Sequence, residues 1–248
     1  MIPYSICITT FSKRFNLIEK LVSQIRSFTN TDILIAINGD YTLEFNNDYR
    51  KKMLNLCSSF DNIYPIFFPE MRGISKLWNT LVIHSKQDWC LVLNDDIEIT
   101  TNDIFEKLFF ILDSDPNIYL INNQVEGQGF SHFIVHKKFL DAVGYFDERF
   151  LGFGCEDGDL LWRYEEKYQR PIQILQIHGI LNLRDGSRDE NIQPENTKYT
   201  KFNKDFCMQK YIPGDGAVGS FGQKMKRVIP DESQYPYEKF FKENIQKL

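Results

Sequence analysis

Among 248 residues there are five cysteines, odd in number and widely scattered, and no CxxC pair. That removes the spacing on which zinc ribbons and dithiol redox sites depend. Cys7 and Cys90 fall inside apolar stretches, where a free thiol behaves as a small hydrophobe, and a reducing cytoplasm is the simpler expectation. No apolar run approaches the roughly 20 residues needed to span a bilayer. The opening MIPYSICITTFSKRF lacks the basic leader and apolar core of a secretory signal, so membrane contact is expected to be peripheral at most. A basic excess is missing too. The net charge of -5 and pI near 5.5 speak against a nucleic-acid binder that relies on a basic surface. There is no internal repeat. The Gly-rich stretch from 214 to 222 lacks the spacing and the trailing lysine of a phosphate-binding P-loop, and reads as a linker or lid.

What the chain does have is 42% hydrophobic and 15% aromatic residues, enough for one large domain or one domain with a modest appendage. The first half alternates strand and helix. Tyr4 to Thr10 reads as a strand, and Phe15, Ile18, Leu21, Val22, Ile25 and Phe28 recur at helical spacing. Asp32 to Ile37 is a second strand, a helix carries Phe45, Tyr49, Met53 and Leu56, and Ile63 to Phe68 is a third strand. A helix then runs to about His84, and after the next strand another carries Phe105, Leu108, Phe109 and Leu112. This rhythm predicts a mostly parallel sheet with crossover helices. Beyond Pro116 it breaks into short strands at 118–121 and 130–135, a helix at 137–143, and a strand at 172–177. Helices are expected at 196–210 and 237–248, the last packing on the core.

The organising stretch is Trp89 to Ile99, WCLVLNDDIEI. Its apolar run is too short for a helix and reads as a strand buried on both faces. It ends in Asn94, Asp95 and Asp96, where open α/β sheets bind their ligands. Hard divalent cations take carboxylate oxygens, and magnesium typically uses one or two of them plus substrate phosphates. The plainer alternative is an Asx-rich turn closing a strand. Asn38-Gly39-Asp40 is likewise either a tight turn or a polar strand end facing a nucleobase. In GYFDERFLGFGCEDGDLLWR, Glu156, Asp157 and Asp159 open a helix, where acids also serve simply as caps.

In this order the segments resemble family-two glycosyltransferases of the GT-A fold. They are the strand with Thr9-Thr10-Phe11 and Arg14, then Asn38-Gly39-Asp40, Arg72-Gly73 with Asn79, Asn94-Asp95-Asp96, and Glu156-Asp157. FLGFGCEDGDLLWR is also similar to the "GWGGEDDD" region of β-1,4-galactosyltransferases. The resemblance covers about Ile2 to Arg188. It implies a GT-A domain over 1–212, with a nucleotide-binding half at 1–100 and an acceptor half at 101–212, followed by 213–248.

The resemblance also implies roles. Thr9, Thr10, Phe11, Arg14, Asn38 and Asp40 would frame the nucleotide base. Arg72, Gly73 and Asn79 would line the base, ribose and phosphate side. Asn94 and Asp95 would lie near the ribose or the metal's water shell. Asp96 would bind Mn2+ or Mg2+, with His178 as a further ligand. Asp157 would be the base and Glu156 would hold the acceptor. Gly129, His132, Phe153 and Gly154 would face the sugar or acceptor.

The implied activity is inverting, metal-dependent transfer of a hexosyl unit from a nucleotide diphospho-sugar, UDP-linked by preference, to a glycan or glycolipid hydroxyl. Two alternatives stay open at this level. One is a silent sugar-nucleotide or glycan-binding module. The other is a sugar nucleotidyltransferase, whose Gly-rich signature is missing after the first strand.

Overall fold

The computed structural model describes residues 4–11, 14–39, 46–112, 114–122, 130–183, 193–214 and 224–231. Its centre is a seven-stranded sheet. In chain order the strands are β1 (Tyr4–Phe11), β2 (Ile33–Asn38), β3 (Ile63–Phe67), β4 (Trp89–Asn94), β6 (Ile118–Ile121), β7 (His132–His136) and β8 (Gln173–Leu175). They lie side by side as β3-β2-β1-β4-β7-β6-β8. β3, β2, β1 and β4 are mutually parallel, whereas β7 runs antiparallel to both its neighbours. The change of rhythm after Pro116 corresponds to that reversal.

Successive residues of a buried strand feed opposite faces, and the core divides accordingly. Ile6, Ile8, Leu91 and Leu93 belong to one apolar cluster, Cys7, Cys90 and Val92 to the other. The first cluster is covered by α1 (Phe15–Phe28), α2 (Asn47–Ser58) and α4 (Asp103–Leu108). The second is covered by α3 (Ile74–His84), α5 (Lys137–Val143) and α6 (Glu156–Tyr168). Both faces of β4 are therefore sealed, as its unbroken apolar run requires.

Several boundaries differ from the sequence reading. α4 ends at Leu108, and just beyond it Phe109 is half-exposed and Phe110 86% exposed. β8 is three residues long rather than six. Two ribbons were not foreseen. β5 (Ile97–Ile99) pairs with β9 (Ile180–Asn182), and β10 (Tyr211–Pro213) pairs with β11 (Met225–Arg227). The late helix, α7, spans Gln193–Lys210. The 237–248 helix and most of the Gly-rich stretch lie outside the described residues. No described helix is long and apolar enough to cross a membrane.

Candidate functional site

The strand order changes direction between β1 and β4, and there the ends of the two strands stand in register, Thr9 beside Asn94. This is the crevice in which open α/β sheets receive ligands. A cavity of about 300 Å³ occupies it, at the small end of ligand pockets, which run from roughly 300 Å³ upward.

Its floor is built from strand ends. Thr9 Oγ1 donates to Asn94 Oδ1 at 3.1 Å and Thr10 Oγ1 donates to Asp95 Oδ2 at 2.8 Å. The chain turns immediately after β4, and that turn aims both carboxylates at one partner: Arg14 Nη1 meets Asp95 and Nη2 meets Asp96 at 3.3 Å. The guanidinium also lies over the Phe11 ring, 5.4 Å from its centroid. Burial pushes the Asp95 carboxyl up to about 7. Arg14 pulls against that shift and the neighbouring Asp96 adds to it.

Further lining comes from the loop before α6 and the start of that helix. Gly152, Phe153, Gly154, Glu156 and Asp157 all line the cavity. Glu156 Oε2 accepts from the Gly154 N–H at 2.5 Å. Burial, then the adjacent Asp157, push Glu156 up to about 8. Asp157 is raised by burial, against hydrogen bonds from the Gly158, Asp157 and Phe130 backbone. The third acid of the segment, Asp159, is elsewhere: it is fully buried against Arg163 and Lys210.

Of the residues singled out in the sequence, Thr9, Thr10, Phe11, Arg14, Asn38, Arg72, Asn94, Asp95, Asp96, Phe153, Gly154, Glu156 and Asp157 line this one cavity. Asp40 and Gly129 lie outside the described residues. Four others are not among its lining residues. Asn79 faces the core, where its amide is spent on the Phe146 carbonyl and Glu148 (2.8 and 2.9 Å) and on the Phe146 N–H (3.0 Å). Gly73 lets α3 approach the loop, since a Cβ there would stand 2.8 Å from the Phe150 carbonyl oxygen. His132, in β7, is buried beside Ser131, whose Oγ lies 2.7 Å from its Nδ1. Burial lowers His132 to about 4, with Asp96 opposing, so the ring is neutral. His178 is exposed on the segment after β8 and does not join Asp96.

Met71, Ile74, Leu77 and Trp78, which were not foreseen, line the cavity as well, as do Gly39 and Gly152, which stood in the quoted segments without an assigned role, and Phe130, whose ring suits a sugar face and the core equally. Ile74 and Trp78 share a helix face at i, i+4, a pattern that reads as ordinary core.

Asp95 and Asp96 supply hard oxygen donors at the cavity wall and already share one cation, the Arg14 guanidinium. That donor set fits a divalent ion completed by substrate phosphates. Among the described residues no group of three or more His, Cys, Asp and Glu side chains gathers into a closed metal cage.

The chain is similar to known proteins in family and in fold. The family described as Glycosyl transferase family 2 matches residues 5–177. No curated protein matches the sequence. Among solved structures, a mannosyltransferase from Pyrobaculum calidifontis, in complex with GDP-Man and Mn2+, superposes with a TM-score of 0.55 at 10% identity, covering 70% of this chain and 54% of that one. S. aureus TarS 1-349 gives 0.52 at 14% identity, covering 70% and 57%. GalNAc-T7 with UDP, GalNAc and Mn2+ gives 0.54 at 9% identity, covering 73% and 43%. The chain thus spans about half the length of these proteins, and the likeness is one of fold.

Proposed function

The chain belongs to glycosyl transferase family 2, and from that membership we infer that it is an inverting transferase. The donor is a nucleotide diphospho-sugar, UDP-linked by preference, and the acceptor is a glycan or glycolipid hydroxyl. The observation that carries the reading is that Asp95, Asp96, Glu156 and Asp157, from two separate parts of the chain, all line one cavity.

In the proposed reaction the acceptor oxygen attacks the anomeric carbon. The bond from that carbon to the phosphate oxygen breaks, and the nucleoside diphosphate leaves with the electron pair. The Asp157 carboxylate takes the acceptor's proton, a role typically worth ~10² to 10⁴ in rate. One displacement inverts the anomeric centre. Glu156, protonated at neutral pH because it is buried, donates a hydrogen bond to the acceptor without competing for the proton. Asp95 and Asp96 would hold Mn2+ or Mg2+, which when bound supplies positive charge against the departing diphosphate. Arg14 then orients the carboxylates and faces the phosphates. Phe11 and Phe153 present rings to the base and the sugar.

The neighbours support this at the level of fold and donor class: one is in complex with GDP-Man and Mn2+, another with UDP, GalNAc and Mn2+. The test is release of nucleoside diphosphate from a panel of nucleotide sugars with manganese, followed by determination of the product's anomeric configuration. Inversion is expected. Retained configuration, or no release from any donor, would contradict the reading.

A further inference from the structure

The loop that walls the acceptor side has no ladder of its own. Gly152, Gly154 and Cys155 all have positive φ, at +54°, +112° and +76°, a region that side chains other than glycine rarely occupy. The Ile74 N–H at the start of α3 donates to the Gly152 carbonyl at 2.7 Å. Side chains hold it as well: Glu156 through the Gly154 N–H and, at more positions, Asn203 of α7. The Asn203 Oδ1 accepts from the Leu151 N–H at 2.8 Å. Its Nδ2 donates to the Leu151 and Gly154 carbonyls, each at 2.8 Å, with Phe153 O at 3.4 Å. Both amide hydrogens and the amide oxygen are thereby used, and Asn203 is fully buried.

The helix that carries it is anchored on the same face. Tyr199, Asn203, Cys207 and Lys210 follow at steps of four, four and three, and all are buried. The Tyr199 ring covers Gly152, where a Cβ would stand 2.5 Å from Cδ2. Lys210 Nζ sits among Asp147, Asp159 and Asp231 at 2.8, 2.5 and 2.7 Å. That buried cluster fixes the end of α7, so Asn203 meets the loop from a rigid support. None of these α7 residues lies within the matched family region, which ends at 177.

We propose that Asn203 is a positioning residue for transfer: it sets the Leu151–Gly154 backbone so that Phe153 and the Glu156–Asp157 pair face the donor at the correct distance. This rests on the transferase reading above. Asn203 touches no reacting atom; it acts through the loop. A misplacement of about 1 Å at a reacting centre is enough to cost ~10²-fold in rate.

The test uses the full chain, with Asn203→Ala and Asn203→Ser beside the wild type. Each is measured for nucleoside diphosphate release, for UDP binding with manganese by calorimetry, for thermal midpoint, and for amide deuterium uptake. In Asn203→Ala, kcat is expected to fall by about tenfold or more, with UDP affinity within about threefold of wild type. Asn203→Ser, which keeps one donor, is expected to fall between. Exchange at Leu151 to Gly154 rises while β4 is unchanged. A kcat within about twofold of wild type in a folded variant overturns the proposal, as does a parallel loss of kcat and UDP affinity. Unchanged exchange at the loop also overturns it. Failure of both variants to fold would make Asn203 a folding determinant and overturn it equally. Because exchange needs no donor, a wild type inert toward every nucleotide sugar while the loop loosens on substitution identifies the transferase reading as the part that failed.

Discussion

Asn38 closes on the backbone of Arg72 from both ends of its amide. Nδ2 donates to the Arg72 carbonyl at 2.9 Å, and Oδ1 accepts from the Arg72 N–H at 2.8 Å. The end of β2 is thereby tied to the segment that leads into α3, 34 positions later in the chain. Gly39 completes the bracket, since a Cβ there would stand 2.3 Å from the Glu70 carbonyl carbon.

Asn38→Ala leaves two buried backbone groups of Arg72 without their partner. The cost is about 1 to 3 kcal/mol for each buried unsatisfied group, so with two of them unfolding in urea should show a loss of about 2 kcal/mol or more. UDP affinity should weaken with it, because Arg72 and Met71 line the cavity.

The raised carboxyl of Asp95 makes metal-supported binding depend on pH. A metal ligand must be deprotonated, and Asp95 is held near 7 by burial. Between pH 6 and pH 8 its ionised fraction rises about tenfold, so the affinity for UDP with manganese should rise by a comparable factor. Calorimetry at the two pH values checks this; equal affinities would remove Asp95 from the metal shell.

Glu156 gives a stability prediction of definite sign. Its folded value, about 8, lies above the ordinary 4.5, so the folded state binds the extra proton. The resulting stabilisation is fully present below about pH 4.5 and is lost as pH rises through 8. Glu156→Gln fixes the uncharged form. At pH 9 its thermal midpoint should exceed that of the wild type by about 2 °C or more, and the difference should shrink steadily as the pH is lowered toward 4.5. A variant less stable than wild type at pH 9 would show that Glu156 is not held protonated.

The alternation of strands and helices, the buried β4 run and the polar strand ends were legible because local periodicity and burial coincide there. Thirteen of the residues named from the sequence line one cavity, most of them because they stand at a strand end or beside a helix start that the pattern locates. Asn79 was misplaced because residue type does not reveal that its amide is already taken by Phe146 and Glu148. His178 was misplaced because the late strand stops at Leu175 and leaves it exposed. The β5–β9 ribbon joins three-residue strands about eighty positions apart, too short for a period-two signal. Asn203 escaped notice although Tyr199, Cys207 and Lys210 share its helical face. A polar residue at a buried position reads as a defect until its backbone partners are known.

The central claim is that one cleft holds the donor through Asp96 and deprotonates the acceptor through Asp157. Its most direct test sets Asp96→Ala and Asp157→Asn side by side, measuring UDP binding with and without manganese and then turnover on the accepted donor. Asp96→Ala should lose the manganese-dependent part of binding. Asp157→Asn should bind as the wild type does and turn over ~10² or more times slower. Wild-type turnover in Asp157→Asn, or undiminished manganese-dependent binding in Asp96→Ala, would contradict it.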